Sequence, residues 1–187
     1  FAGFDKVILA IPAAQALALL NASDLSALGK PLNDVQVDPC WTLMLAYPQA
    51  VQPGLITLGP QWNAARSTHH RIAWMARESS KPGRERIERW TVQASAPWSA
   101  EHVNDAPERI KGKLIKAFAE ITGIRATPAH AEVHRWLYAK TAQPLGQSHI
   151  WAKEQGIGLC GDWCLGHRAE DAFVSGLELA LAVLKKR

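Results

Sequence analysis

The sequence predicts two kinds of architecture in one chain: an α/β layer built from its two ends and an α+β, antiparallel-sheet region between them. Three observations predict this. A short apolar run at 5–11 leads straight into strong helix formers. A second, at 156–162, leads into a long closing helix. Between them lie three β-type runs at 40–47, 71–77 and 87–95, the last two separated by a Pro-Gly turn. The chain is long enough to bury a core: 187 residues, 48% apolar and 20% charged, a balance that excludes wholesale disorder.

Taken in order, Asp5 to Ile11 is apolar and β-branched, the pattern of a strand buried on both faces. Such a strand needs neighbours and cover, so chain is expected before Phe1. Pro12 sits where a helix opens, and Ala13 to Leu20 are strong helix formers. Asn21 to Val37 is polar and turn-rich, with one short helix after Ser23. Cys40 to Tyr47 reads as a strand. Ile72, Trp74 and Ala76 alternate with Arg71, Ala73, Met75 and Arg77, as in a half-buried strand. Ser79 to Arg84 turns the chain, and Ile87 to Ser95 returns it. Pro107 opens a helix whose stripe is Ile110, Leu114, Phe118 and Ile121, with Lys111, Lys113 and Lys116 away from it and Gly123 as its stop. His130 to Tyr138 is a further strand. Gly156 to Asp162 is a short strand, and Ala169 to Leu184 a helix with Phe173, Gly176, Leu177, Ala180, Leu181 and Leu184 as its apolar face. The expected division is 1–22 and 147–187 as one domain's outer segments and 23–146 as a second domain.

No eighteen-residue apolar window exists, so no membrane-spanning helix is expected. The nearest run, Val7 to Leu20, is interrupted by Pro12 and Gln15 and lacks the basic lead of a signal peptide. Three cysteines, an odd and sparse set, argue against a disulfide framework and for a reducing, cytoplasmic setting. Net charge is +4, and the segment 66–89 carries all of it, with seven Lys/Arg against three Asp/Glu. A local excess of this kind steers an anionic partner, or else is the solvated outer face of a hairpin.

The informative stretch is 156–180, GIGLCGDWCLGHRAEDAFVSGLELA. Gly156, Gly158 and Gly161 match G-x-G-x-x-G literally. That dinucleotide fingerprint needs its glycines after a strand and inside a βαβ unit. Here they lie at or within the strand, and one helix follows. What fits instead is an apolar strand, Gly161-Asp162, a short loop with Gly166, and a helix carrying Ser175-Gly176. Gly161 permits close backbone approach, and the carboxylate of Asp162 at the strand end can accept hydrogen bonds. The helix start, Ala169, Glu170, Asp171, Ala172 and Phe173, offers free N–H groups and a positive dipole end. Gly176 permits close helix–sheet packing.

This stretch resembles the C-terminal flavin-binding signature of the FAD-dependent amine oxidase superfamily. Phe4 to Pro12 resembles the strand D-x-V-I-x-A-x-P that re-enters the FAD domain there. The middle segments RIAWMARESSKPGR (71–84), WTVQAS (90–95), APWS (96–99) and VHRWLYA (133–139) resemble the renalase-type branch. The resemblance spans most of the chain. It implies part of a two-domain flavoprotein fold: remnants of the FAD domain plus an antiparallel-sheet substrate domain, the N-terminal dinucleotide-binding βαβ unit being absent. It implies FAD as cofactor, bordered by Ala10, Ile11 and Pro12 and by Gly161, Asp162 and residues 169–173. It implies oxidation of dihydro isomers of NAD(P)H to NAD(P)+, with oxygen as acceptor and hydrogen peroxide as product. Arg71, Trp74, Gln93 and Trp136 are the expected substrate-binding face, the tryptophans stacking on a nicotinamide-like ring; their plain alternative is core packing. Gln93 falls where animal relatives carry a histidine, which leaves no acid–base role there. The segment alone is expected to hold FAD poorly and to be inactive.

Metal readings fail on spacing. His130 and His134, at i and i+4, lie on a predicted strand, where that spacing is too long to chelate. His69-His70 reads as a loop pair. Cys160 and Cys164 are not C-x-x-C and read as reduced thiols. There is no G-x-S-x-G elbow and no H-E-x-x-H helix, so hydrolase readings lack a nucleophile or a metal. Three alternatives stand beside the flavin oxidase: a flavin-dependent amine oxidase or desaturase, a non-catalytic interaction domain, and a nucleic-acid module using the basic segment. The last is weakened because the remaining chain is neutral, fourteen residues of each sign.

Overall fold

The computed structural model describes residues 3–48, 62–84 and 87–185. In chain order the elements are β1 (Val7–Leu9), α1 (Ala13–Asn21), α2 (Ser26–Gly29), β2 (Gln36–Tyr47), β3 (Ala64–Arg66), β4 (Ile72–Arg77), β5 (Glu88–Ala94), α3 (Ala96–Glu101), α4 (Pro107–Thr122), β6 (His130–Gln143), β7 (Ile150–Ala152), β8 (Ile157–Leu159) and α5 (Ala169–Leu184). They form two compact units. The first joins Phe1–Asp38 to Tyr138–Arg187; the second is Pro39–Leu137. The chain changes unit inside β2 and inside β6, so the observed divisions fall within strands and not at the turns 22/23 and 146/147 that composition marks.

The first unit is built on a three-stranded sheet, β1-β8-β7. β1 and β8 are parallel, Ile8 opposite Gly158, although they come from opposite ends of the chain. β7 pairs antiparallel with β8. Helix α1 opens at Pro12, whose carbonyl accepts from the N–H groups of Gln15 and Ala16. Proline suits this place because its missing N–H would have had no partner. Ala13, Ala16 and Leu20 pack with Leu32, Leu159, Trp163 and Cys164 as the core of this unit.

The second unit is a five-stranded sheet ordered β3-β4-β5-β2-β6. Its β4–β5 and β5–β2 pairs are antiparallel, with Leu45 opposite Trp90 and Met75 opposite Val92. Strand alternation sends Leu43, Leu45, Tyr47, Met75, Trp90 and Val92 onto α4, where Ile110, Leu114 and Phe118 meet them. Trp90 sits edge-to-face on Phe118, with ring centroids 5.3 Å apart. Helix α3 starts at Ser95, whose hydroxyl accepts from the Trp98 N–H. Helix α4 ends at Gly123, as its sequence predicts.

Two expectations need correction. The run containing β1 is not buried on both faces: Val7 and Ile8 are about half exposed. β1 pairs with β8 alone among the described strands, so its outer edge and part of its surface stay open. The apolar stripe assigned to α5 is its outward side. Phe173, Leu177, Leu181 and Leu184 are exposed, whereas Ser175 and Leu179 are buried. The reason is local: Leu179 rests on Gly158 of β8, where a Cβ would lie 3.0 Å from its methyls. The short elements β3, α3 and β7 escape the sequence reading, and β6 runs on to Gln143, past its predicted end at Tyr138.

Candidate functional site

At the C-terminal ends of β1 and β8, the first unit holds a half-open cavity of about 340 Å³. Its wall gathers Ala10, Ile11 and Pro12 from the β1–α1 turn, Gly161 and Asp162 from the turn after β8, and Ala172 from α5. These six nominated residues are far apart in sequence and converge because β1 and β8 lie side by side in parallel, so both strand-to-helix turns open at the same sheet edge. The other nominated residues of the α5 start, Ala169, Glu170, Asp171 and Phe173, do not line the cavity. Phe173 is 69% exposed. Asp171 caps its own helix by accepting from the Arg168 N–H at 2.9 Å, and the N–H groups of Asp171 and Ala172 both close on the Arg168 carbonyl.

The turn after β8 is held from three sides. The Gly161 N–H donates to the buried Ser175 hydroxyl at 2.9 Å, and that hydroxyl also hydrogen-bonds the Cys164 thiol. The Trp163 indole N–H donates to the Ile11 carbonyl at 2.9 Å, tying the two turns together. A side chain at Gly161 would run into that indole. Glycine is therefore required here by Trp163, whatever else approaches. Gly176 differs from expectation: no atom lies within 4 Å of where its Cβ would stand. It keeps the cavity wall open and is not a tight-packing position.

The chemistry of the wall is uneven. Asp162 is its charged residue, and no hydrogen bond reaches its carboxylate among the described residues. Carboxylates only accept, so this wall calls for donors on a guest. Burial raises the Cys160 thiol on the same wall and pushes neighbouring Cys164 up to about 11. Both are neutral thiols at physiological pH. All three cysteines are free. Val37, Tyr138, Thr141, Cys160 and Trp163 also line the wall without having been nominated. Trp163 and Cys160 lie inside the motif that singled out Asp162; Thr141 lies on the part of β6 that the sequence reading left out.

In the second unit, the sheet face turned away from α4 collects three of the four nominated substrate residues. Trp74 and Thr42 both lie opposite Gln93, so the three stand side by side on β4, β5 and β2. On β6, Ala131 and Val133 pack toward the core. Arg135 reaches the Trp41 ring, 5.9 Å from its centroid. The alternate positions, His134 and Trp136, therefore share the face of Gln93, with rings 4.2 Å apart and Trp136 53% exposed. Arg71 precedes β4 and is tied by its backbone to Ser95 and to His69; its side chain has no carboxylate partner among the described residues.

The basic hairpin is partly neutralised within itself. Arg77 grips Glu88 with two N–H groups, at 2.7 and 2.9 Å, and the Ser79 hydroxyl donates to the same carboxylate. Lys81 and Arg84 both pair with Glu78. Arg66 and Arg89, like Arg71, have no such partner among the described residues. Among those residues no cluster of three or more His, Cys, Asp or Glu is placed to hold a metal. No described helix is long and apolar enough to cross a membrane.

Together, the parallel strand pair with its closing helix and the separate antiparallel sheet backed by α4 share their fold with part of several solved oxidoreductase structures. The match is extensive over this chain and partial over theirs. It covers 97% of this chain and 42% of a protein provisionally named a protoporphyrinogen oxidase from Exiguobacterium sp. 255-15, with a TM-score of 0.73 at 17% identity. For cyclohexylamine oxidase from Brevibacterium oxydans the shares are 95% and 42%, with a TM-score of 0.64 at 10% identity. For an oxidoreductase from Methanosarcina mazei they are 96% and 43%, with a TM-score of 0.59 at 15% identity. The chain thus spans less than half the length of these structures. No family model matches its sequence.

Proposed function

We propose that this chain is part of an FAD-dependent oxidoreductase and that the cavity of its first unit holds the flavin. The observation that carries this reading is the convergence of Ala10, Ile11, Pro12, Gly161, Asp162 and Ala172 on one cavity at the ends of parallel strands. The wall suits the ring or ribityl part of a flavin and not its phosphates. It offers small apolar residues and an unpartnered carboxylate, and no cation lines it among the described residues. Ala10, Ile11 and Pro12 would exclude water from one side, and Asp162 would accept from ribityl hydroxyls. When bound, the flavin supplies hydride acceptance from a substrate and electron transfer to oxygen, with hydrogen peroxide as product.

The renalase-type resemblance extends the proposal to dihydro isomers of NAD(P)H as substrate. Trp74 and Trp136 on the open sheet face would stack on a flat ring, and the Gln93 amide would read its polar edge. Arg71 and Arg89, without carboxylate partners, would meet the anionic remainder of a dinucleotide. Free, neutral cysteines support a reducing, cytoplasmic setting.

The test is a visible absorption spectrum of the protein expressed from its complete reading frame. A stoichiometric flavin spectrum released on denaturation supports the reading and makes a dihydro-NAD(P) oxidation assay the next step. A colourless protein that takes up no added FAD overturns it.

A further inference from the structure

Thr141 is an unassigned polar group of the cavity. It is 4% exposed, lies on β6 and lines the cavity wall. Its hydroxyl has no hydrogen-bond partner among the described residues. The fully buried side-chain polar atom without a partner among the described residues is Trp90 Nε1 and not the Thr141 oxygen, so this hydroxyl opens on the cavity, where a guest can meet it.

The other donors around the cavity narrow its role. The Trp163 indole N–H is spent on Ile11, the Gly161 N–H on Ser175 and the Cys160 N–H on the Leu9 carbonyl. Asp162 accepts only. Tyr138 carries a hydroxyl but is 41% exposed, where water competes for it. The Cys160 thiol is a weak donor. Thr141 is therefore the wall's buried strong donor with nothing of the protein to donate to. We infer that Thr141 is a ligand-binding residue of this cavity, its hydroxyl donating to an acceptor atom of the bound ring or ribityl chain and complementing the acceptor at Asp162. The inference rests on the flavin reading and names a contact that neither the signature stretch nor the strand preceding α1 contains.

The test is Thr141→Val, which keeps the shape and removes the hydroxyl, with Thr141→Ser restoring a hydroxyl, in the protein expressed from its complete reading frame and stripped of bound flavin. Two quantities are read: thermal stability of the flavin-free protein and the dissociation constant for added FAD. The inference expects an effect on binding and not on the fold. Without flavin, Thr141→Val melts close to the wild-type temperature, because the hydroxyl bonds to nothing in the described protein. With FAD it binds about three- to tenfold more weakly, the effect of one lost hydrogen bond, and Thr141→Ser recovers part of that loss. If Thr141→Val melts lower without flavin, the hydroxyl serves the fold and the inference is overturned. If wild type binds FAD and Thr141→Val binds it equally well, the inference fails while the flavin reading stands. If wild type binds no FAD, the flavin reading fails and takes this contact with it.

Discussion

The two units bury their apolar residues differently. The second closes its core between one sheet face and two helices, with Trp90, Phe118, Leu43, Ile72, Ile110 and Leu114 all essentially inaccessible. The first has a smaller core around Leu159 and Trp163 and turns Val7, Ile8, Phe173, Leu177, Leu181 and Leu184 outward. Apolar content alone does not separate them. What differs is whether a second layer lies over each apolar face: α4 covers the sheet of the second unit, while the outer stripe of α5 has no described layer above it. The cavity belongs to the less completely packed unit, where strand ends and small residues leave space.

Substitutions test this contrast, the largest effect first. Phe118→Ala removes a ring stacked on Tyr47 and met edge-to-face by Trp90 and is expected to cost about 3–5 kcal/mol; denaturant unfolding reads it, and a loss under 1 kcal/mol would contradict a closed core. Within α5, Leu179→Ala is expected to cost about 2–5 kcal/mol, while Leu181→Ala, two residues on and 53% exposed, stays within about 0.5 kcal/mol. Equal losses at both positions would mean that the outer stripe is covered. Gly161→Ala forces Trp163 off the Ile11 carbonyl and is expected to cost about 1–3 kcal/mol by overpacking, with flavin uptake reduced alongside.

Asp162→Asn sharpens the comparison from the ligand side. The carboxylate has no partner in the fold, so the melting temperature should barely change. FAD affinity should fall roughly ten- to a hundredfold, as for hydrogen bonds to a charged group, measured by flavin fluorescence titration. A fall in melting temperature without a fall in affinity would make Asp162 a structural residue.

The smallest effect is a pH dependence in the second unit. The Lys81 hydrogen bond, ahead of other causes, holds the Glu78 carboxyl below its ordinary 4.5. A depressed folded pKa stabilises above the unfolded carboxyl's pKa, and that stabilisation disappears as pH falls through the lower folded value. Acid unfolding should therefore be shallower below about pH 4.5 in Glu78→Gln than in wild type. Lys81 and Arg84 are more than half exposed, which keeps the difference under about 1 kcal/mol.

Much of the fold was legible because it is local. Pro12 ahead of an Ala/Leu run and the stripe of α4 ending at Gly123 each leave a pattern a few residues long. Asp162 and the 10–12 turn were legible in the same way, as parts of a resemblance to flavin-binding segments. The alternation read for β4 fails, because a register shift between Ile72 and Trp74 puts Met75, and not Trp74, on the core side with Ile72. The misreadings share a cause. Leu177, Leu181 and Leu184 look like the packed side of α5 by hydrophobicity, yet the helix sits down through Leu179 because Gly158 admits it there, and through Ser175 because the Gly161 N–H needs an acceptor. Thr141 left no signal at all: a threonine on a strand is unremarkable until the fold closes a cavity around it.

By itself the sequence determined the longer strands and helices, though not the short β3, α3 and β7, and that the two chain ends belong to one kind of layer and the middle to another. Backbone propensity, turn chemistry and side-chain period act over a few residues, so they are written locally. Only the tertiary structure decided that β1 and β8 lie in parallel register, that their turns therefore share one cavity, and which donors around it are already spent. Those facts depend on residues about 150 positions apart, such as Ile11 and Trp163, and burial becomes defined only once such segments have met.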